Sequence, residues 1–263
     1  MCERIIHLVM RKSLLRPDEP PAVAESRRDG RSDFVIVVDH ASRRIPGNLG
    51  TLGLPESELV RHIAWDIGAL GVAERVSERL DATLVAQTYS RLVIDCNRPS
   101  SAPTAIPPIS EITEIPGNAD LAEADREARR VAIHAPYHDH ITALLDERAR
   151  QGRKTILIAQ HSMTPVFKGS HRDMQAAVLY NRDGRFAVAL RDALSDSAGS
   201  IVADNQPYAM TDDSDFTLPI HGEKRGLPHV GIEIRQDLVE DEAGQLLWAD
   251  RVARALEIAR RGF

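Results

Sequence analysis

The stretch Phe34-Val35-Ile36-Val37-Val38-Asp39-His40 decides how this chain is read: a short apolar run, rich in β-branched residues, stops abruptly at a carboxylate and an imidazole. Three further stretches repeat the pattern. Leu92-Val93-Ile94 ends at Asp95-Cys96-Asn97-Arg98, Thr155-Ile156-Leu157-Ile158-Ala159 ends at Gln160-His161-Ser162, and Val230-Gly231-Ile232 ends at Glu233-Ile234-Arg235. Runs this short and this apolar predict buried strands of an α/β sheet. Ligands of such sheets sit outside the carboxyl ends of the strands, where these polar groups fall. Two histidines, a glutamate and an arginine on one sheet edge make up the inventory of a metal-dependent hydrolase.

Between those runs the periodicity changes to helical. Pro55 and Ser57 open a pattern carrying Leu59, Ile63 and Ile67 on one face, interrupted at Gly68 and Gly71, with a second helix over Val72 to Leu80. Asp66 lies at that interruption. Ser100 to Asn118 is proline-rich and aperiodic, a long loop of the kind that covers an active site. Asp120 to Arg150 predicts a long helix that Pro136 must kink or break. A strand around Ala177 to Tyr180, a helix from Arg185 to Leu194 and a strand at Ile201 to Ala203 follow. The polar segment Asp204 to Leu227 is a second candidate cover, and a helix from Glu242 to Arg260 closes the pattern. Strands alternating with helices predict a three-layer α/β/α sandwich with a mixed, mostly parallel sheet. Pro17, Pro20, Pro21 and the Asp29-Gly30 turn make residues 1–32 a tail or linker, leaving 33–263 as a single domain.

Composition narrows the function. The formal charge of −6 and pI near 5.9 argue against an electrostatic grip on nucleic acid or anionic membrane. Cys2 and Cys96 are the only cysteines, so a disulfide framework and a cysteine-based zinc knuckle are both excluded. Any metal is therefore held by histidine and carboxylate. The apolar stretch Ile5 to Met10 is too short for a signal-peptide core or a membrane span, which makes the cytoplasm the expected location.

Each candidate residue carries a plainer alternative. His40 and His161 each offer an imidazole nitrogen to a metal from a rigid strand end; the alternative is a histidine satisfied by backbone hydrogen bonds. Glu233, flanked by Ile232 and Ile234, is a carboxylate whose desolvation suits it to act as a general base; the alternative is a structural pair with Arg235. Arg91, Asn97 and Arg98 flank one run and present donors that match a small anionic substrate, unless the arginines serve the abundant acidic residues. His134 and His138 stand four apart around Pro136, a weak metal signal, and His138 with Tyr137 is expected to pack beneath the site. His221 lies in the segment expected to fold over it. There is no His-Glu-x-x-His helix, no Gly-x-Ser-x-Gly elbow and no phosphate-binding glycine loop.

Five motifs in order resemble the N-formylglutamate amidohydrolase family. They are Asp39-His40-Ala41-Ser42 with Ile45-Pro46, Tyr89-Ser90-Arg91 with Asp95-Cys96-Asn97-Arg98-Pro99, Pro136-Tyr137-His138, His161-Ser162-Met163, and Gly231-Ile232-Glu233-Ile234-Arg235. The family is similar in architecture to zinc carboxypeptidases, so the resemblance implies a zinc-carboxypeptidase or phosphorylase/hydrolase-like fold. It also implies that His161-Ser162 supplies a zinc ligand, that Glu233 is the general base, and that Asn97-Arg98 grips a substrate carboxylate. One departure stands out. The peptidases place a glutamate three residues after the first zinc histidine, whereas this chain has Arg43 there. A third ligand must come from elsewhere, and Asp66 is the candidate, with His62 as the fallback. Met163 replaces the aromatic residue that commonly follows histidine-serine in the peptidases, so peptide cleavage does not carry over.

The implied activity is a zinc-dependent amidohydrolase of amino-acid catabolism, acting on a small acidic N-acyl amino acid. His40, Asp66 and His161 hold the metal, which acidifies a water and polarises the acyl carbonyl. Glu233 moves the proton, Arg91, Asn97 and Arg98 orient the carboxylates, and Ser162, His138 and His221 support the site from behind. The rivals are a carboxypeptidase-like or deacylase activity on another small amide, and a metal-free protein that only binds small anions.

Overall fold

A computed structural model describes residues 13–198 and 201–263; Cys2 and the apolar stretch Ile5 to Met10 lie outside the described residues. The strands are β1 (Val23–Ser26), β2 (Phe34–Val38), β3 (Thr83–Gln87), β4 (Ile109–Ser110), β5 (Thr113–Glu114), β6 (Ile156–Met163), β7 (Val166–Phe167), β8 (Ser170–His171), β9 (Ala176–Leu179), β10 (Val202–Asp204) and β11 (His229–Arg235). The helices are α1 (Glu56–Leu59), α2 (Ala69–Leu80), α3 (Glu123–Arg129), α4 (Ala135–Arg150), α5 (Arg185–Ala198), α6 (Thr217–His221) and α7 (Glu242–Ala259). Seven strands form one sheet in the order β1-β3-β2-β6-β11-β9-β10, while β4-β5 and β7-β8 are separate two-stranded hairpins. The pairs β2-β3, β2-β6, β6-β11 and β9-β10 are parallel; β1-β3 and β9-β11 are antiparallel. The expected mixed, mostly parallel sheet is therefore present.

Successive strand residues point to opposite faces, and both faces are apolar. Phe34, Ile36 and Val38 of β2 pack with α2, α5 and α7, whereas Val35 and Val37 pack with α4 and the loops beside it. Those two cores bury the inner strands of the middle layer on both faces, which is why β2, β6 and β11 carry apolar runs, while the edge strands β1 and β10 stay partly exposed. After β2 the chain passes through α2 to β3 on one side, while β6 pairs with β2 on the other. That divergence opens a crevice at the carboxyl ends of β2 and β6. Among the described residues no helix is long and apolar enough to cross a membrane.

Several expectations change. Leu92-Val93-Ile94 is buried but is not a strand; the adjacent sheet strand is β3. Local bonds replace a ladder there: the Leu92 and Asn97 N–H groups donate to the Ser90 Oγ and Asp95 Oδ1 atoms, and the Asp95 N–H donates to the Ala105 carbonyl. The helix expected from Pro55 lasts one turn. Beyond it the Ala64 and Ile67 carbonyls accept from the Ser90 and Ser162 hydroxyls, and the Asp66 N–H donates to the His40 carbonyl. Val23–Ser26, inside the stretch expected as a tail, pairs along β3 as an edge strand. The long helix does deform near Pro136, as a π-helical turn over Arg130–His134 between α3 and α4. That turn accommodates the hydrogen bond the proline cannot make.

Candidate metal centre and catalytic cavity

His40 follows β2, Asp66 precedes α2, and His161 belongs to β6. The backbone bond from Asp66 to the His40 carbonyl, 3.0 Å, fixes the turn against the strand end. Gly68 lets that turn close: its φ is +78°, and a Cβ there would meet the Val239 carbonyl oxygen at 2.0 Å. The result is a convergence on one oxygen. Asp66 Oδ2 lies 2.8 Å from His161 Nδ1 and 3.3 Å from His40 Nδ1, and one ligand atom from each of the three residues falls within 4.8 Å of the others. All three side chains are buried.

The outer nitrogens are held as well. His40 Nε2 is 2.7 Å from Asp95 Oδ1, and His161 Nε2 is 3.4 Å from Asp39 Oδ2. Asp95 takes the outer N–H of His40, and Asp39 stands at ion-pair distance behind His161, so each imidazole has a carboxylate at its back, the arrangement that tunes metal-ligating histidines. Asp39 is itself fixed by the Tyr137 hydroxyl at 2.9 Å and the Thr217 hydroxyl at 2.8 Å, both donating to Oδ1. Two imidazoles, neutral once an ion displaces their inner protons, and one carboxylate fit a divalent cation such as zinc.

The charges follow from this packing. Burial works against the His161 imidazolium, but Asp39 and Asp66 outweigh it and place its pKa well above the usual histidine value. Burial would likewise raise the Asp66 carboxyl, yet the facing His40 and His161 hold it far below the carboxylate range. Asp39, opposed by burial and favoured by His161, is lowered to about 2.

Glu233 sits on β11 directly opposite His161 on β6. It is 5% exposed; Oε1 accepts from the Tyr208 hydroxyl at 3.0 Å, and Oε2 has no hydrogen-bond partner among the described residues. Burial pushes its pKa up. Glu233, Asp66, Ser162, Tyr208 and Arg172 line a cavity of about 390 Å³. A second compartment of about 400 Å³ shares His62, Arg91, Arg98 and Phe167 with it and extends to the β4-β5 hairpin.

The remaining candidates divide. Arg91 lines the cavity, but its guanidinium is engaged: Nε and Nη2 donate to Asp95 Oδ2 at 3.1 and 2.7 Å, and Nη1 donates to Asp66 Oδ1 at 3.3 Å. Asn97, expected at the substrate, is turned away from that task. Its amide donates to Asp215 Oδ1 at 2.9 Å, and its oxygen accepts from the Phe216 and Thr217 N–H groups at 3.1 Å, so it fastens the start of α6. Arg98 lines both compartments while donating to the Asn97 and Ser214 carbonyls. Ser162 donates to the Ile67 carbonyl at 2.7 Å. His62 lines the cavity, 3.5 Å from Glu111, and stands outside the metal cluster.

His221 lies beneath the site rather than over it, its Nε2 3.0 Å from His138 Nδ1. His138 Nε2 faces the Cys96 carbonyl at 2.8 Å and must donate to it, so Nδ1 accepts from His221. His221 Nδ1 is then a buried acceptor without a partner among the described residues. Four further residues of the site were not singled out from sequence. Asp39 and Asp95 end apolar runs in plain view, and only their pairing with the histidines was hidden. Tyr208 and Arg172 stand in segments without periodicity and carry no local signal.

The family model described as N-formylglutamate amidohydrolase matches residues 32–240. The crystal structure of a gene product from Agrobacterium tumefaciens is 41% identical with a TM-score of 0.91, covering 95% of this chain and 98% of its own. That of N-formylglutamate amidohydrolase from Ralstonia eutropha JMP134 is 20% identical with a TM-score of 0.66, covering 93% and 100%, a likeness of fold. No curated protein sequence matches the chain.

Proposed function

The chain belongs to the N-formylglutamate amidohydrolase family and is a hydrolase of amide bonds; from that premise we propose that it uses a divalent metal to remove the N-formyl, or another short N-acyl, group from an acidic amino acid such as N-formylglutamate. The observation that carries this reading is the free Oε2 of buried Glu233, next to the cluster of His40, Asp66 and His161. Those three residues would hold the ion, for which zinc suits the donor set. When bound, such an ion supplies Lewis acidity toward water and the acyl carbonyl.

The chain's own groups account for the proton. The Tyr208 hydroxyl occupies Oε1 of Glu233 and leaves Oε2 to accept a proton from the attacking water. Glu233 then returns that proton to the amine nitrogen as the carbon–nitrogen bond breaks. Burial raises the glutamate's pKa and so makes it a better base than a solvated carboxylate. The products are formate and a free amino acid, a step of amino-acid catabolism that we assign to the cytoplasm.

Glu233→Gln keeps the shape of the side chain and removes the base. Formate release from N-formyl-L-glutamate should fall by roughly two to four orders of magnitude, with stoichiometric metal retained by elemental analysis. Loss of metal in this variant would make Glu233 a ligand and overturn the mechanism.

A further inference from the structure

The cavity contains three arginines, and their charges are not equally compensated. Arg91 spends Nε, Nη1 and Nη2 on Asp95 and Asp66. Arg98 lies 3.9 Å from Asp215 and donates to two backbone carbonyls. Arg172 has no carboxylate partner among the described residues. Its single side-chain hydrogen bond runs from Nη1 to the Thr164 carbonyl at 3.2 Å, leaving Nε and Nη2 free in a residue that lines the cavity with Glu233.

The residue is nonetheless held in place. Its N–H donates to the Pro165 carbonyl at 2.9 Å, and its own carbonyl accepts from Arg235 Nη1 at 3.0 Å, which ties it to the end of β11. The Phe167 ring lies 5.3 Å from the guanidinium carbon and supports the planar group. Burial lowers its pKa, and the charges of Glu233 and Tyr208 across the cavity offset that only in part. Placing a charge in a partly buried cleft without a partner costs free energy unless a ligand brings the opposite charge.

We propose that Arg172 is the specificity-determining residue of this site: its free Nε and Nη2 receive a carboxylate of the N-acyl amino acid while the scissile amide lies against Glu233. The assignment rests on the amidohydrolase reading above and moves the main anion contact away from Arg91 and Asn97. A planar fork with two free donors matches a carboxylate geometrically, whereas a lysine supplies charge alone.

The test compares wild type, Arg172→Gln and Arg172→Lys, each loaded with metal, on N-formyl-L-glutamate and its two monoamides, N-formyl-L-glutamine and N-formyl-L-isoglutamine. Arg172→Gln should raise KM for the diacid by about 10- to 100-fold with kcat changed far less, and Arg172→Lys should recover part of the loss. The monoamide lacking the contacted carboxylate should be nearly indifferent to the substitution. Unchanged kinetics, or equal losses on all three substrates through kcat, would overturn the proposal. If wild type hydrolyses none of them, the functional reading fails, and calorimetric binding of glutarate decides Arg172 separately. Binding by wild type that Arg172→Gln abolishes upholds the anion site; binding equal in both, or absent from both, removes it.

Discussion

At the scale of single residues, the site is governed by what stands behind each group that faces the cavity. His40 and His161 each have a carboxylate on the outer nitrogen, and Asp66 meets both inner ones. Asp66→Ala should therefore lower zinc affinity by well over tenfold in a chelator competition, because a tetrahedral site would be left with two protein ligands. His62→Ala should change it little, since its imidazole faces Glu111 outside the cluster. The reverse ranking would show that Asp66 only braces the histidines. Part of this was open to inspection in the sequence. His40, His161 and Glu233 each follow or interrupt an apolar run, so their place at a sheet edge could be read. Asn97 could not be understood in that way, because the Phe216 N–H that occupies it lies 119 residues along the chain.

At the scale of elements, one apolar run illustrates how burial and strand formation part company. Leu92-Val93-Ile94 is as buried as β2, yet its backbone is satisfied by Ser90, Asp95 and a loop carbonyl rather than by a ladder. Hydrophobic content reports burial; only hydrogen-bond partners decide between strand and turn, and those partners are distant. The loop spanning 100–118 is pinned by a different device. Arg129, fully buried on α3, donates to the Val93 and Gly117 carbonyls and to Asn118 Oδ1. Arg129→Met retains the apolar stem but leaves three acceptors unmet, a change expected to cost about 2–4 kcal/mol. Limited proteolysis should then cut first within 100–118, with the sheet still protected. Cleavage spread evenly over the molecule would mean that Arg129 supports the whole fold rather than that loop.

At the scale of the whole molecule, the buried histidine stack makes stability depend on pH. Burial lowers the His138 pKa to about 3 and that of His221 to about 4, whereas an unfolded histidine titrates near ~6.5. Between those limits the unfolded chain binds more protons, so stability is complete above ~6.5 and falls as pH drops toward the folded values. His40 and His161 are shifted upward and contribute in the opposite sense. The comparison with His138→Gln separates the two: the variant's Tm should fall less steeply than that of wild type between pH 6.5 and 5. Identical slopes would mean that His138 is not kept neutral by the fold. The sheet order has a further consequence, for synthesis. The strand carrying Glu233 is the last of the described strands in sequence but occupies an interior slot between β6 and β9. A nascent chain that has delivered every metal-cluster residue still lacks its base and the strand that joins the two halves of the sheet. Insertion of β11 thus joins the sheet and brings Glu233 to the cavity in one late event, and a chain cut short before β11 can do neither.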